Sequence, residues 1–291
     1  MPAALLFVIF VVLLVIAIPV SITLGIASVL PSVFDPSFTV GAKYLIRAMF
    51  GGLDSFPLLA VPMFVLSGII MAKGGISKKL FDVFAFFLGN FTAGMPCAVI
   101  VTCLFYGAIS GSAPATVAAV GSMTIPILSA LGYDRTFSTA IVAVAGGLGV
   151  VIPPSIPFIM YAMATGESVS DLFLAGIVPG MMISALLIFY AYYYCRRHGE
   201  DREKIQAKMD QLKTKGFVNI LKESIWALLS PVIVLGCIYT GVASPTEAAV
   251  ISVFYSLFVS LFIYKSIKVK QIWGIMVEAM KTYAPILFIL A

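Results

Sequence analysis

Residues Gly107 to Thr116 read GAISGSAPAT, and they stand inside 51 consecutive uncharged residues, Val83 to Tyr133. Glycines, small hydroxyls and a proline at the centre of so long an apolar run do not describe a simple membrane span. In hydrocarbon every unpaired N–H or C=O is costly, so non-helical backbone at membrane depth survives only where protein covers it or where it lines a cavity. A second interruption, GGLGVVIPPSIP over Gly146 to Pro157, lies in another uncharged run, Phe137 to Gly166. Two broken apolar segments close together in sequence point to a binding site of the kind found in membrane carriers.

Working outward, composition sets the class. Hydrophobic residues make up 61% of the 291 and charged residues 11%, with a mean hydropathy of +1.10, whereas soluble domains carry about 25% charged residues. The chain therefore reads as an all-α polytopic membrane protein whose surroundings are a lipid bilayer. Its formal charge of +5 does not indicate nucleic acid, because the basic residues sit in short segments between apolar runs, where they act as topology signals. Cys97, Cys103, Cys195 and Cys237 are scattered without metal-ligand spacing, and His198 is the single histidine, so no cofactor or metal centre is expected. The apolar run Ala3 to Leu30 lacks a basic leader and is long enough to span, which argues against a cleaved signal.

Candidate spans of about 20 residues are Ala3 to Leu30, Phe56 to Ala72, the double segment Val83 to Tyr133, Phe137 to Ala164, Leu172 to Cys195, Ile225 to Val242, Glu247 to Tyr264, and an incomplete one beginning near Tyr283. Lys73, Lys78 and Lys79, then Arg135, the basic loop 196–222, and Lys265, Lys268 and Lys270 all follow spans that end on one side. The positive-inside rule makes that side, and the N-terminus, cytoplasmic. Lys43 and Arg47 fall on the other side, and Phe38 to Phe50 reads as an amphipathic helix at the interface, with a plain loop as the alternative.

Hydropathy leaves two readings of Val83 to Tyr133, two full spans or a re-entrant hairpin, since both return the chain to the same side. The arm Val117 to Tyr133 is short and contains Pro126, which favours the hairpin. A weak internal repeat accompanies it. Pro19 and Pro57 are matched by Pro245 and Pro285, each pair enclosing an apolar span and a lysine-bearing amphipathic stretch, and the odd number of spans between them would invert the second unit. Chance spacing of prolines is the competing explanation. On the repeat reading, 1–195 is a first unit with a hairpin at about 83–133 and a broken helix at 137–164. A connecting span at 223–242 and the start of a second unit at 243–291 follow.

The interruptions also suggest chemistry. Sodium prefers hard oxygen ligands, and unwound backbone carbonyls supply them without a carboxylate. Ser110, Gly111 and Ser112 at the first break, with Gly146, Gly149, Ile152 and Pro153 at the second, are the candidate sodium ligands. Pro153 and Pro154 remove N–H donors and so free carbonyls one turn earlier. The helix that restarts beyond them is expected to point its positive end into the same cavity, toward an anionic carboxylate. Ser112, Ala113, Thr116, Pro154 and Ser155 are the candidate substrate contacts. The alternative is that these small residues serve only close helix packing.

The segments GAISGSAPATVAAVGSMTIP, GYDR, GGLGVVIPPSIPFIMYA, LFLAGIVPG and GVASPTEAAV, in that order along nearly the whole chain, resemble the large, DctM-like membrane subunit of the tripartite ATP-independent periplasmic (TRAP) transporters. The resemblance implies an inverted-repeat, elevator-type fold with a re-entrant hairpin and broken helices. It further implies sodium-driven import of organic acids, such as C4-dicarboxylates or sialic acid, across the bacterial inner membrane. A small membrane subunit and a periplasmic substrate-binding protein are the implied partners, and sodium the coupling ion. Full-length members continue beyond the point where this chain stops, Ala291, and add a second hairpin with its own broken helix, so the chain is expected to hold the first repeat and the beginning of the second.

Two other classes are distinguishable. An intramembrane enzyme needs a base or paired carboxylates at depth, and neither interrupted segment contains His, Asp, Glu, Lys or Arg. A channel would be expected to show charged pore rings rather than paired broken helices. The form Ser244-Pro245-Thr246-Glu247 reads as a capping box, and Ser168 to Asp171 repeats it. Trp226, Trp273 and Tyr190, Tyr192, Tyr193 and Tyr194 suit interfacial belts.

Overall fold

The structure, a computed structural model, describes residues 2–30, 42–214 and 216–290. Among them the regular elements are helices. The first expected span is broken. Pro2–Val15 (α1) ends before Ala17, a non-glycine residue at φ 65, and Pro19, which lacks an N–H, caps the start of Val20–Val29 (α2). Ala42–Leu53 (α3) takes up the expected amphipathic helix, with half-buried Leu45, Met49 and Leu53 four residues apart and Lys43 and Arg47 exposed. Residues 38–41 of that expectation lie outside the described residues.

A short 3-10 turn, Phe56–Leu59, opened by Pro57, leads into Ala60–Lys73 (α4). Ile76–Leu88 (α5) runs antiparallel to Gly94–Ser110 (α6), and Ala113–Ala130 (α7) returns from a turn of two residues, Gly111 and Ser112. Arg135–Gly146 (α8) starts on Asp134, whose Oδ2 accepts from Phe137 N at 2.8 Å. It tightens into a 3-10 turn at Gly147–Val150 and breaks before Ile156–Thr165 (α9). Val169–His198 (α10) is the longest helix among the described residues, and Leu174, Val178, Met181, Leu186 and Phe189 along it are exposed, as suits contact with lipid. The basic segment 196–222 is not a loop throughout, since Arg202–Thr214 (α11) is helical and buries Ile205, Met209 and Leu212.

Phe217–Tyr239 (α12) and Pro245–Phe258 (α13) follow, α13 starting with the expected capping box. Ser244 N donates to Glu247 Oε2 at 2.7 Å and Glu247 N to Ser244 Oγ at 3.3 Å. Only half of that pattern recurs at Ser168, whose Oγ accepts from Asp171 N. A π turn, Val259–Ile263, ends this span. Val269–Leu290 (α14) is one continuous helix. The sequence places a new span near Tyr283 opened by Pro285, but Pro285 lies inside α14, because an uninterrupted helix on both sides absorbs the one lost hydrogen bond.

Six helical segments among the described residues are long and apolar enough to cross a membrane: Phe56–Lys73, Ala113–Ala130, Val169–His198, Phe217–Tyr239, Pro245–Ile263 and Val269–Leu290. Lipid is as apolar as a leucine side chain, so close packing and interhelical hydrogen bonds, rather than water exclusion, hold such helices together. Two large clusters result, with a smaller one around Ile70, Val253, Ile267 and Ile275. One contains α5, the arms α6 and α7, and α8, around Phe81, Met95, Tyr106 and Leu128. The other joins α4 to α13, α12, α9 and the start of α10, around Phe64, Ile159, Phe173 and Ala248. At the α4–α13 seam the hydroxyls of Ser67 and Ser252 meet at 2.6 Å.

The basic segments gather through long-range contacts. Lys73 pairs with Glu278, and Lys79 with Glu223. Lys79 also stands 6.0 Å from the centre of the Tyr264 ring, while Arg202 reaches Thr92 at 2.8 Å.

Candidate functional site

The two interruptions meet. Each restarts a helix on the same local pattern, a serine N-cap in extended conformation followed two residues later by proline: Ser112-Ala113-Pro114 for α7 and Ser155-Ile156-Pro157 for α9. Proline fits there because the first turn of a helix has no use for its missing N–H. The turn itself depends on Gly111 at φ +60, a left-handed conformation that costs other residues energy. Gly111 O accepts from Ile156 N at 3.2 Å, so the hairpin tip is tied directly to the amino end of α9. That end is not on the open cavity, as the sequence reading expects, because the Gly111 carbonyl already occupies it.

Around the tip three oxygens form a compact node without any charge. Ser110 Oγ lies 2.9 Å from Thr116 Oγ1, Thr116 Oγ1 donates to Ser112 O at 2.9 Å, and Ser110 Oγ reaches the same carbonyl at 3.3 Å. Ser110 and Thr116 are buried. Gly149 packs against this node from the second interruption. A Cβ there would stand 2.5 Å from Thr116 Oγ1 and 2.9 Å from Ser112 O, and one on Gly107 would stand 2.6 Å from the Gly149 Cα. Gly146 lies against Val117. Ser155 Oγ donates to Val150 O at 2.6 Å, and Ile152 N to Leu148 O at 2.8 Å. The Pro153–Pro154 bond is cis.

A cavity of about 810 Å³ opens beside the tip, between the hairpin, α4 and α14. Ser112, Pro114 and Ala115 line it from the amino end of α7, Gly68 and Tyr106 from below the tip, and Thr282 and Glu278 from α14. Tyr106 is fully buried and donates to Gly68 O at 2.8 Å, which locks α6 on α4. Of the residues singled out in the sequence, Ser112 faces the cavity, and Ala113 and Thr116 stand on the same helix turn. Ser110, Gly111 and Gly149 form the buried layer behind it. Gly146, Ile152, Pro153, Pro154 and Ser155 are buried one layer further back, among α8, α9 and the tip. Sequence reasoning missed Lys73, Lys78 and Glu278 as cavity residues. Only their place at the ends of apolar runs marked the lysines, and nothing local marked Glu278.

The root of the hairpin is a second organised centre that the sequence did not announce. Glu200, just beyond α10, has a side chain only 2% exposed. Its Oε1 accepts from Ala93 N, at the start of α6, at 3.0 Å, and from Tyr133 Oη, just after α7, at 2.5 Å. Arg202 Nη2 stands 3.4 Å from the other oxygen. Burial and the bond to Glu200 push the Tyr133 hydroxyl well above the usual phenol range. Nearby, the hydrogen bonds of Lys204 hold the half-buried Asp201 carboxyl below its ordinary value.

Residues 7–291 match the family described as the tripartite ATP-independent periplasmic transporter, DctM component. The chain is 40% identical over 290 residues to the isethionate TRAP transporter permease protein DctMQ of Oleidesulfovibrio alaskensis, covering 100% of this chain and 45% of that protein. It is 32% identical to the C4-dicarboxylate TRAP transporter large permease protein DctM of Rhodobacter capsulatus, covering 100% of this chain and 67% of the relative. With the sialic acid TRAP transporter permease protein SiaT of Haemophilus influenzae it shares 36% identity over 78% of this chain and 36% of that one. The chain thus spans about half the length of the first of these relatives. The helices long and apolar enough to cross a membrane and the family match over residues 7–291 agree, and this polytopic membrane chain belongs to the DctM component family of the tripartite ATP-independent periplasmic transporters.

Proposed function

We propose that this chain forms the substrate-bearing part of the large permease subunit of a secondary transporter that imports organic acids. The observation that carries this reading is the 810 Å³ cavity with Ser112 and the amino end of α7 on its wall. A helix amino terminus with proline at its second position presents unpaired N–H groups and a partial positive charge to whatever fills the space, which suits a carboxylate or sulfonate. Lys78 at the same cavity adds positive potential, while the charge of Lys73 is met by Glu278. The relatives' names, isethionate, C4-dicarboxylate and sialic acid, all denote organic anions and support that class.

Sodium is the coupling ion in this reading. Ser110 Oγ, Thr116 Oγ1 and Ser112 O lie within hydrogen-bond distance of one another and offer hard oxygens in a place without carboxylates. A proton-coupled carrier is the competing mechanism, but it needs a titratable group at the site, and the nearest acid on the cavity wall is Glu278, on α14. The hairpin and the broken helix would move as an elevator past α4, α13 and α14, with the buried hairpin residues gathered mostly in one apolar cluster and the second half of the broken helix, α9, packed in the cluster of α4 and α13. The expected partners are a small membrane subunit and a periplasmic binding protein, in a bacterial inner membrane. The basic segments support a cytoplasmic N-terminus.

The test uses the intact permease with its partners in vesicles. Ser112→Leu should abolish uptake of succinate or isethionate while leaving expression and melting unchanged, and replacing external sodium by choline should abolish wild-type uptake. Unaltered kinetics in the Leu variant would reduce Ser112 to a packing residue, and sodium-independent uptake would remove sodium as the coupling ion. For orientation, a cysteine at Gln206 should label only from the cytoplasm and one at Thr165 only from outside. Labelling of both from one face would overturn the topology.

A further inference from the structure

A second opening of about 450 Å³ lies between the end of α4 and the start of α14, lined by Lys73, Ser266, Lys270, Gln271 and Gly274 among others. Lys73 lines this opening and the larger cavity alike. Its Nζ donates to Glu278 Oε2, and Glu278 lines the cavity alone. The Lys73–Glu278 ion pair therefore stands where the two spaces meet. Resting on the reading of the larger cavity as an organic-anion site, we propose that the smaller opening is a second anion subsite, a vestibule through which a substrate carboxylate or sulfonate passes by replacing Glu278 on Lys73.

Three observations carry it. Among the described residues the lining of the vestibule holds two lysines and no acid, so an anion there competes only with Glu278, the partner of Lys73. Gln271 Oε1 is engaged by Lys268 N at 2.8 Å, which turns its remaining polar group, an NH2 donor, toward other acceptors. The ion pair itself is weakly held. The Lys73 and Glu278 side chains are 45% and 50% exposed, and a pair so open to water gains little from its charges. An incoming anion can take Glu278's place at small cost. The flexible lysine stem, with three donors on a compact ammonium, can turn from one space to the other. Glu278 then acts as the resident competitor that keeps the passage closed between turnovers.

The test places single cysteines in the intact permease, in vesicles, with Cys237 replaced by serine because it is the one partly exposed native thiol among the described residues. Gly274→Cys reports on the vestibule and Thr282→Cys on the cavity, each read by its rate of reaction with a cationic thiol reagent in the presence of succinate or isethionate. Both positions should be protected by one of these anions. Glu278→Gln should lower the half-protecting concentration at Gly274→Cys by about threefold, the size expected for removing one exposed competitor. Reversing the pair with Lys73→Glu and Glu278→Lys keeps the bridge and the fold, and should abolish protection at Gly274→Cys while melting stays unchanged. Protection at Thr282→Cys without protection at Gly274→Cys overturns the vestibule and leaves the cavity reading standing. So does an unchanged concentration in Glu278→Gln. Protection at neither position overturns both.

Discussion

At its tip the hairpin carries no charge, and at its root it is organised around the buried carboxylate of Glu200. The tip is held by backbone and small groups: the Gly111 carbonyl on Ile156 N, three mutually bonded oxygens, and Gly149 pressed against them. The root is held by an acid that bonds both arms at once, through Ala93 N and Tyr133 Oη. Under the proposed function the tip would have to accept and release ions or anions, which a permanent strong partner would oppose, whereas the base of the same element gains from one. Neutral oxygens can be exchanged for a ligand at modest cost, while a buried carboxylate stripped of its partners is strongly destabilising. The two ends thus differ in what holds them, neutral groups at the tip and a buried carboxylate at the root.

The largest effect should come from crowding the tip. Gly149→Val puts carbon into backbone and hydroxyl positions that cannot yield, and overpacking of this kind costs about 3 kcal/mol. Denaturation in detergent should show early loss of the folded state. A normal melting curve would mean that the tip is loosely packed after all.

Removing the root's carboxylate comes next. Glu200→Ala leaves a buried N–H and a buried hydroxyl without their acceptor, a loss of about 2 kcal/mol. Glu200→Gln keeps an acceptor oxygen and should recover much of it. Equal melting of the Ala variant and wild type would show that the root is not anchored by Glu200.

A smaller effect, about 1 kcal/mol, is expected for Tyr133→Phe, and pH sharpens it. The folded-state pKa of Tyr133 is raised, so its contribution is fully present below the unfolded phenol value of about 10 and is lost as pH rises toward the folded value. Wild type should therefore lose stability above that pH relative to Tyr133→Phe. Parallel pH curves would remove Tyr133 from the clasp.

The smallest effect belongs to Asp201→Asn. The Asp201 carboxyl is partly exposed beside the exposed Lys204, and a pair open to water contributes little, so melting at neutral pH should not change. A clear loss would contradict the claim that only the buried acid at this root matters.

How much of this was legible in the sequence depends on the range of the interaction concerned. The breaks at Gly111 and at Pro153–Pro154, the proline-bearing helix starts after Ser112 and Ser155, and the capping box of Ser244 and Glu247 are decided within a few residues. Missing N–H groups, positive φ and side-chain caps are local facts, and apolar runs of sufficient length mark the spans. The clasp was illegible because Glu200 is 107 residues from Ala93 and 67 from Tyr133, and an acid within a basic segment carries no spacing signal. The Lys73–Glu278 pair bridges 205 residues and was hidden for the same reason. Pro285 misled because a proline usually kinks or ends a helix, whereas α14 runs through it.

The sequence by itself thus determined that the chain is helical, membrane-embedded and broken at two defined points, since those properties follow from composition and short-range sterics. Only the tertiary structure decided that the two breaks touch, that Ser112 rather than Ser155 faces the cavity, and that Gly111 fills the amino end of α9. Those outcomes depend on how closely α6, α7 and α8 approach, which is fixed by the packing of Gly107 against Gly149 and by contacts between residues far apart in the chain.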